Sequence, residues 1–253
     1  MDSILQLLNF DWTQWIAIIL AAFMVGFAKT AIGGVTILVI PILAVVFGGK
    51  DSSGIMLSML LVGDLFAIWY YRKNVEWKNV FTPLPWAIIG LLLGVFVGNY
   101  ISDKAFIMLI GIIVLFCLVI LIYTERRENA LVVPNKAWFY IFVGILSGFS
   151  SMIGNAAGPI FSIYLLALGF KKNNYMGTNA WFFFIVNVLK LPFQIFVWHT
   201  IGLKTLSITI AMIPIITSGA IFGYFVLKKI NERHFRNIVI AMTAIAAIKL
   251  LIE

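Results

Sequence analysis

Two interrupted apolar runs decide the fold: Gly26-Phe-Ala-Lys-Thr-Ala-Ile-Gly-Gly-Val-Thr36 and Ser147-Gly-Phe-Ser-Ser-Met-Ile-Gly-Asn-Ala-Ala-Gly-Pro159. They lie inside hydrophobic stretches 12–48 and 137–169, each too long for a single crossing of about 20 mostly apolar residues. Glycine permits unwound backbone, and proline cannot donate to a helix ladder. At membrane depth such backbone is tolerated only where it is buried in protein or lines a watery cavity. Each run therefore predicts a helix that breaks and restarts. Pro159 suits the first turn of the restarted helix, with Asn155 or Gly158 expected as its cap. A kinked helix packed closely through small residues is the simpler alternative.

Working outward, six further hydrophobic stretches have the length of one crossing: 54–71, 80–101, 105–123, 175–198, 204–227 and 234–252. Of the 253 residues, 62% are hydrophobic and 11% charged, and the mean hydropathy is +1.06. Soluble domains run near 45–50% apolar and about 25% charged. A soluble enzyme, a disordered chain and a secreted disulfide scaffold are thereby excluded. The formal charge of +8 fits cationic loops facing anionic lipid, and no nucleic-acid partner is expected. The single cysteine, Cys117, sits in an apolar run and reads as a buried thiol. The start, Met1-Asp2-Ser3, is not basic, so the first stretch is expected to stay in the mature protein.

The chain also repeats itself. Pro85, Gly90 and Gly94 match Pro214, Gly219 and Gly223 at an offset of 129. Gly26, Gly33 and Lys50 match Gly148, Gly154 and Lys171 at offsets of 121–122. Residues 1–125 and 126–253 are read as two transmembrane repeats, each a broken segment followed by three ordinary ones. If all eight stretches cross once, eight cations fall on each side, which is no bias. If the two broken stretches are hairpins that return to their own side, the loops divide twelve cations against four. The larger set is Arg72, Lys73, Lys78, Arg126, Arg127, Lys136, Lys171, Lys172, Lys228, Lys229, Arg233 and Arg236, and it should be cytoplasmic. The hairpin arrangement gives each half three crossings, so the halves are inverted and both chain ends face outward. The expected fold is an all-α polytopic membrane protein of two inverted-topology repeats, each a re-entrant helical hairpin plus three transmembrane helices.

Few residues in the apolar stretches can do chemistry. Lys29 and Lys190 lie within them, where a charge costs at least about 2.5–3.5 kcal/mol unless it faces a polar cavity or snorkels. Asp64 is the acid inside a predicted crossing and falls near Asn187 by the repeat. It can carry a coupling proton or pair with a lysine. Asn179, Phe183, Val186, Asn187 and Lys190 share one helical face, with Thr178 and Trp181 beside its start. Helix N-termini at a break add positive polarity suited to an anion. The anion-binding candidates are Lys29, Gly33, Gly34, Gly154, Asn155, Gly158, Thr178, Asn179, Trp181, Asn187 and Lys190, with Asp64 as coupling candidate. His199 and His234 lie at segment ends, and no metal site is expected. No phosphate-binding loop, nucleophile elbow or zinc-hydrolase motif is present in the sequence. The chain reads as a transporter and not an enzyme, with no cofactor.

These residues resemble the TauE/SafE family of sulfite and organosulfonate exporters. The matching features are Gly26 to Gly34 with Pro41 downstream, Asp64 ahead of a basic loop near Trp77, and the Gly90 and Gly94 pair. In the second half they are Gly148-Phe149, Gly154-Asn155, Gly158-Pro159, Tyr164-Leu-Leu166, Gly177-Thr178 and Asn187 to Pro192. One departure is Thr30, where a small residue such as glycine is expected. The resemblance implies export of sulfite, sulfoacetate or related sulfonates across the bacterial inner membrane. The expected partners are a small anionic sulfur compound and membrane lipid, with a homodimer as a compatible assembly. An anion channel of the same fold and a non-transporting membrane scaffold are the alternatives.

Overall fold

A computed structural model describes residues 10–31, 35–47, 49–98, 100, 137–231, 233–235, 237–238, 240–241 and 244–245. The fourth predicted stretch with Cys117, most of the eighth, and Gly33 and Gly34 lie outside the described residues. Those described form helices and no strand. They are α1 (Trp12–Thr30), α2 (Thr36–Phe47), α3 (Gly49–Tyr71), α4 (Trp77–Phe81), α5 (Leu84–Val97), α6 (Ala137–Gly154), α7 (Gly158–Ala167), α8 (Lys172–Phe196) and α9 (Leu203–Lys229). Among the described residues, six helical spans are long and apolar enough to cross a membrane: Trp12–Thr30, Asp51–Asn74, Trp77–Val97, Ala137–Gly154, Lys172–Phe196 and Leu203–Lys229. The protein is a multi-pass membrane protein. Asp11 opens α1 with a reciprocal cap, its carboxylate accepting from the Gln14 backbone. The Thr13 hydroxyl, and then that Gln14 N–H, hold the Asp11 carboxyl below its ordinary value.

Both long stretches break where glycine and proline interrupt them. α1 ends at Thr30 and α2 starts at Thr36; α6 ends at Gly154 and α7 starts at Gly158. The chain then folds back. Phe10, just ahead of α1, meets Phe47 at the far end of α2, with ring centroids 5.5 Å apart. Phe139 at the start of α6 meets Tyr164 near the end of α7, at 5.8 Å. Each broken stretch is thus a helical hairpin whose two open ends lie together.

The hairpins open at opposite ends of the molecule. Phe10 sits under the Lys204 ammonium at 5.1 Å, at the start of α9. Tyr164 donates to Asn79, beside the loop after α3. That loop meets the start of α8, where Asn174 donates to Glu76 at 2.9 Å. It also lies near the end of α9, whose Ile230 carbonyl accepts from Lys172 at 2.6 Å. Arg72, Lys73, Lys78, Lys171, Lys172, Lys228, Lys229 and Arg233 fall at this basic end. Lys50 and Lys204 fall at the other. Eight single crossings would put 72–78 and 171–172 on opposite sides, which these hydrogen bonds forbid.

The two most extensive helix packings are α1 on α9 and α5 on α6, and both depend on glycine. A Cβ on Gly26 would overlap the Ile216 carbonyl, and one on Gly148 would overlap the Ala87 carbonyl. In return Gly90 lies on Ile145 and Gly219 on Phe23, while Gly94 faces Met152 and Gly223 faces Thr30. Each contact maps onto its counterpart at the sequence offsets of 122 and 129. Backbones this close gain dispersion contact that bulky residues would prevent. Thr30 fits because Gly223 leaves room for it; its hydroxyl donates to Ala220 O at 2.7 Å. A cluster of polar side chains is buried within a largely apolar interior, and large apolar side chains face outward. Trp12, Phe96, Leu203, Ile210 and Phe225 are exposed, while Lys29, Asp64, Asn155, Asn187, Lys190 and Gln194 are buried. Exposed apolar surface on this scale suits lipid contact.

Candidate functional site

The two breaks meet at the centre. A small cavity of about 30 Å³ is bounded by Thr36 at the start of α2 and by Ser151, Asn155 and Gly158 around the second break. Lys29 from α1, Leu60 from α3, and Asn179, Phe183 and Asn187 from α8 complete it. α2 and α7 therefore both begin at this cavity, and helix starts carry unpaired N–H groups and partial positive charge. The cap of α7 differs from expectation. Ala157 holds the cap position, where its methyl group has no hydrogen bond to offer, and the Asn155 amide is engaged elsewhere.

Lys29 is the cavity's cation. Its ammonium lies 2.6 Å from Asp64 Oδ1, with Lys29 7% and Asp64 0% exposed. The other Asp64 oxygen accepts from Asn187 Nδ2 at 2.7 Å. Asp64 and Asn187, near-equivalent in the two halves, thus meet directly. The Lys29 ammonium also stands 5.3 Å over the Phe183 ring, which adds a modest cation–π attraction.

Lys190 is fully buried and sits behind the cavity wall. It donates to Asn155 Oδ1 at 2.5 Å and to Ser151 Oγ at 3.3 Å. Asn155 adopts a left-handed backbone with φ 53°, a conformation that asparagine tolerates better than most side chains. Its Nδ2 reaches Ser53 Oγ at 3.3 Å. Gln194 donates to the same Ser53 oxygen at 3.2 Å and accepts from Thr200. A second small cavity of about 30 Å³ lies beyond Asn155, lined by Ser52, Ser53 and Gly154 among others. Asn155 therefore stands between two spaces.

Asn179 is 5% exposed, and its side-chain oxygen has no hydrogen-bond partner among the described residues. A buried amide oxygen without a partner is costly, so the Asn179 oxygen is set to accept from a hydrogen-bond donor on a guest. Asn and lysine groups around an apolar Phe183 and Leu60 wall can bind an oxyanion with a small apolar body.

The expected residues divide by place. Lys29, Asn155, Gly158, Asn179 and Asn187 line the cavity. Gly154 lines the second one. Lys190 and Asp64 hold wall residues from behind. Thr178 and Trp181 are not among the cavity's lining residues: Thr178 accepts from the Glu76 backbone at 3.0 Å, and Trp181 packs on Trp77 at 4.9 Å. Sequence reasoning did not single out Ser53 and Gln194. Gln194 lies four residues past Lys190, and so extends the stripe that starts at Asn179.

No curated protein and no solved structure matches this chain. Residues 18–250 match the family described as Sulfite exporter TauE/SafE, whose members are transporters. With the match running through both hairpins and every span between them, the chain belongs to the TauE/SafE sulfite exporter family.

Proposed function

We propose that the protein exports small sulfur oxyanions, sulfite or an organosulfonate such as sulfoacetate, across the bacterial inner membrane by alternating access. The observation that carries this reading is the cavity where Lys29, Asn155, Asn179 and Asn187 converge on the starts of α2 and α7. The transporting unit is two inverted repeats, residues 1–125 and 126–253. Hairpins opening at opposite ends and repeat-related glycine contacts support it. The basic end is cytoplasmic by the positive-inside rule.

In this mechanism the anion enters from the basic end and meets the Lys29 ammonium and the open N–H groups of α7. Rocking of one repeat against the other then closes the path behind and opens the contact between Asn155 and Ser53 ahead. Net movement of one negative charge outward gains about 2.3 kcal/mol per 100 mV of membrane potential. Purified protein in liposomes tests the reading with labelled sulfite or methanesulfonate. Saturable flux, accelerated by unlabelled anion on the far side, is expected. Flux that never saturates would make the protein a channel. No flux, with no thermal stabilisation by any oxyanion, would leave a scaffold.

A further inference from the structure

We infer that a cavity at the basic end is a first, weak binding site for the exported anion, an antechamber to the central one. The inference rests on the export reading and names where its solute is first held. The space, about 240 Å³, lies between the end of α3, the start of α8 and the end of α9. Its walls include Tyr70, Tyr71, Asn74, Lys172, Tyr224 and Lys228. Lys172 ties the start of α8 to the end of α9 by donating to the Leu227 and Ile230 carbonyls. That contact offsets the negative polarity which the end of α9 would otherwise turn toward an anion. The Tyr71 and Asn74 carbonyls, at the end of α3, lie against Gly177 of α8.

What remains around the space is rich in donors. Tyr70 and Tyr224 stack with centroids 4.2 Å apart, and neither hydroxyl bonds a described residue. The Lys228 ammonium stands 4.6 Å over the Tyr224 ring, and cation–π attraction keeps it beside the space. Lys228 is exposed, so water solvates its charge, and it has no acidic partner within ion-pair distance among the described residues. Lys171 precedes α8 without a side-chain cap, which leaves the first N–H groups of that helix open. Glu76 is the acid at this end among the described residues. It is not a wall residue, and Asn174 and Asn79 donate to its two oxygens. Hydroxyl and ammonium donors, with the nearby acid already engaged, suit an oxyanion.

Tyr71 connects this space to the centre. It is a buried wall residue, and its hydroxyl donates to the Thr30 carbonyl at 2.7 Å. Thr30 closes α1 directly after Lys29, the central cation. One side chain thus spans from the antechamber to the first helix break, and its movement passes the anion toward Lys29. A water-exposed lysine binds weakly, so the antechamber gathers anions and the centre holds them.

The test uses the full chain without Cys117 in nanodiscs of zwitterionic lipid. Asn173→Cys places a thiol on the cavity wall, and Lys73→Cys places one at the same end but not on that wall. Labelling by uncharged N-ethylmaleimide is timed against rising methanesulfonate at constant ionic strength. Methanesulfonate is expected to slow labelling saturably at position 173 and to leave position 73 unaffected. Adding Lys228→Gln should raise the half-protecting concentration about two- to fivefold, the worth of one water-exposed charge contact. No slowing at 173, equal slowing at both positions, or an unchanged half-protecting concentration in Lys228→Gln overturns the antechamber. So does protection by phosphatidylglycerol added to the discs with none by methanesulfonate, which would make the space a lipid headgroup site. Liposome flux that persists without protection leaves the export reading standing, whereas absent flux fails that reading itself.

Discussion

Replacing Lys29 with Met isolates the ion pair at the heart of the cavity. The ammonium lost is 2.6 Å from Asp64, and Asp64 is fully buried with Asn187 as its remaining hydrogen-bond donor. A buried carboxylate stripped of its cation is strongly destabilising, by about 3–5 kcal/mol. For a chain of this size that lowers the unfolding midpoint by roughly 6–20 °C, taking about 2–4 °C per kcal/mol. Lys29→Met with Asp64→Asn removes both charges together and keeps an amide beside Asn187. It should recover most of the loss, because what destabilises the single variant is the orphaned charge. Transport should stay absent in both, since the cavity's cation is gone. Thermal unfolding in a mild detergent, followed by intrinsic tryptophan fluorescence, reads the first effect, and liposome flux reads the second. Lys29→Met as stable as the parent would show that the pair is not buried as described. A double variant no more stable than the single one would show that the lysine acts through packing alone.

Gly148→Val should abolish accumulation of folded protein, since its Cβ would overlap the Ala87 carbonyl between α6 and α5; normal yield of monodisperse protein would contradict the packing. Asn155→Gly keeps the left-handed backbone but loses the bonds to Ser53 and Lys190, and should transport poorly; Asn155→Ala should be less stable than Asn155→Gly by about 1–2 kcal/mol in unfolding measurements. In a background without Cys117, cysteines at Lys73, Asn173 and Lys228 should all be labelled from one membrane face and a cysteine at Lys204 from the opposite face. Labelling of Lys73 and Asn173 from different faces would undo the hairpins.

Much of this architecture is legible in the residues, for physical reasons. Glycine runs and Pro159 mark the breaks because clustered glycines permit unwound backbone and a proline suits the first turn of the next helix. Charge then decides between straight spans and hairpins, since eight crossings leave the basic loops evenly divided. The helical stripe through Asn179, Asn187 and Lys190 lies on a buried face of α8. Residues off that stripe, Thr178 and Trp181, end elsewhere, on the Glu76 backbone and on Trp77.

What the one-dimensional pattern could not supply is depth along that face. Lys29 and Lys190 look alike as lone cations in apolar surroundings. Lys29 reaches the cavity from the last turn of α1, whereas Lys190 lies one turn beyond Asn187 and tucks behind Asn155. Ser53 escapes notice because it stands in the polar Lys50-Asp51-Ser52-Ser53 junction ahead of an apolar run, and Gln194 because the stripe is followed only as far as Lys190. They gain meaning only when the second break is laid against α3. Asp64 pairs with Lys29 and not with Lys190, a choice that only the distance reveals.

The central claim is that an anion rests between the two helix breaks. An experimental density map of the protein in nanodiscs with methanesulfonate tests it most directly. The account predicts ligand density within hydrogen-bond reach of the Lys29 ammonium and the first turn of α7. Methanesulfonate bound elsewhere on the protein, with the space between Lys29 and Gly158 left to water, would contradict it.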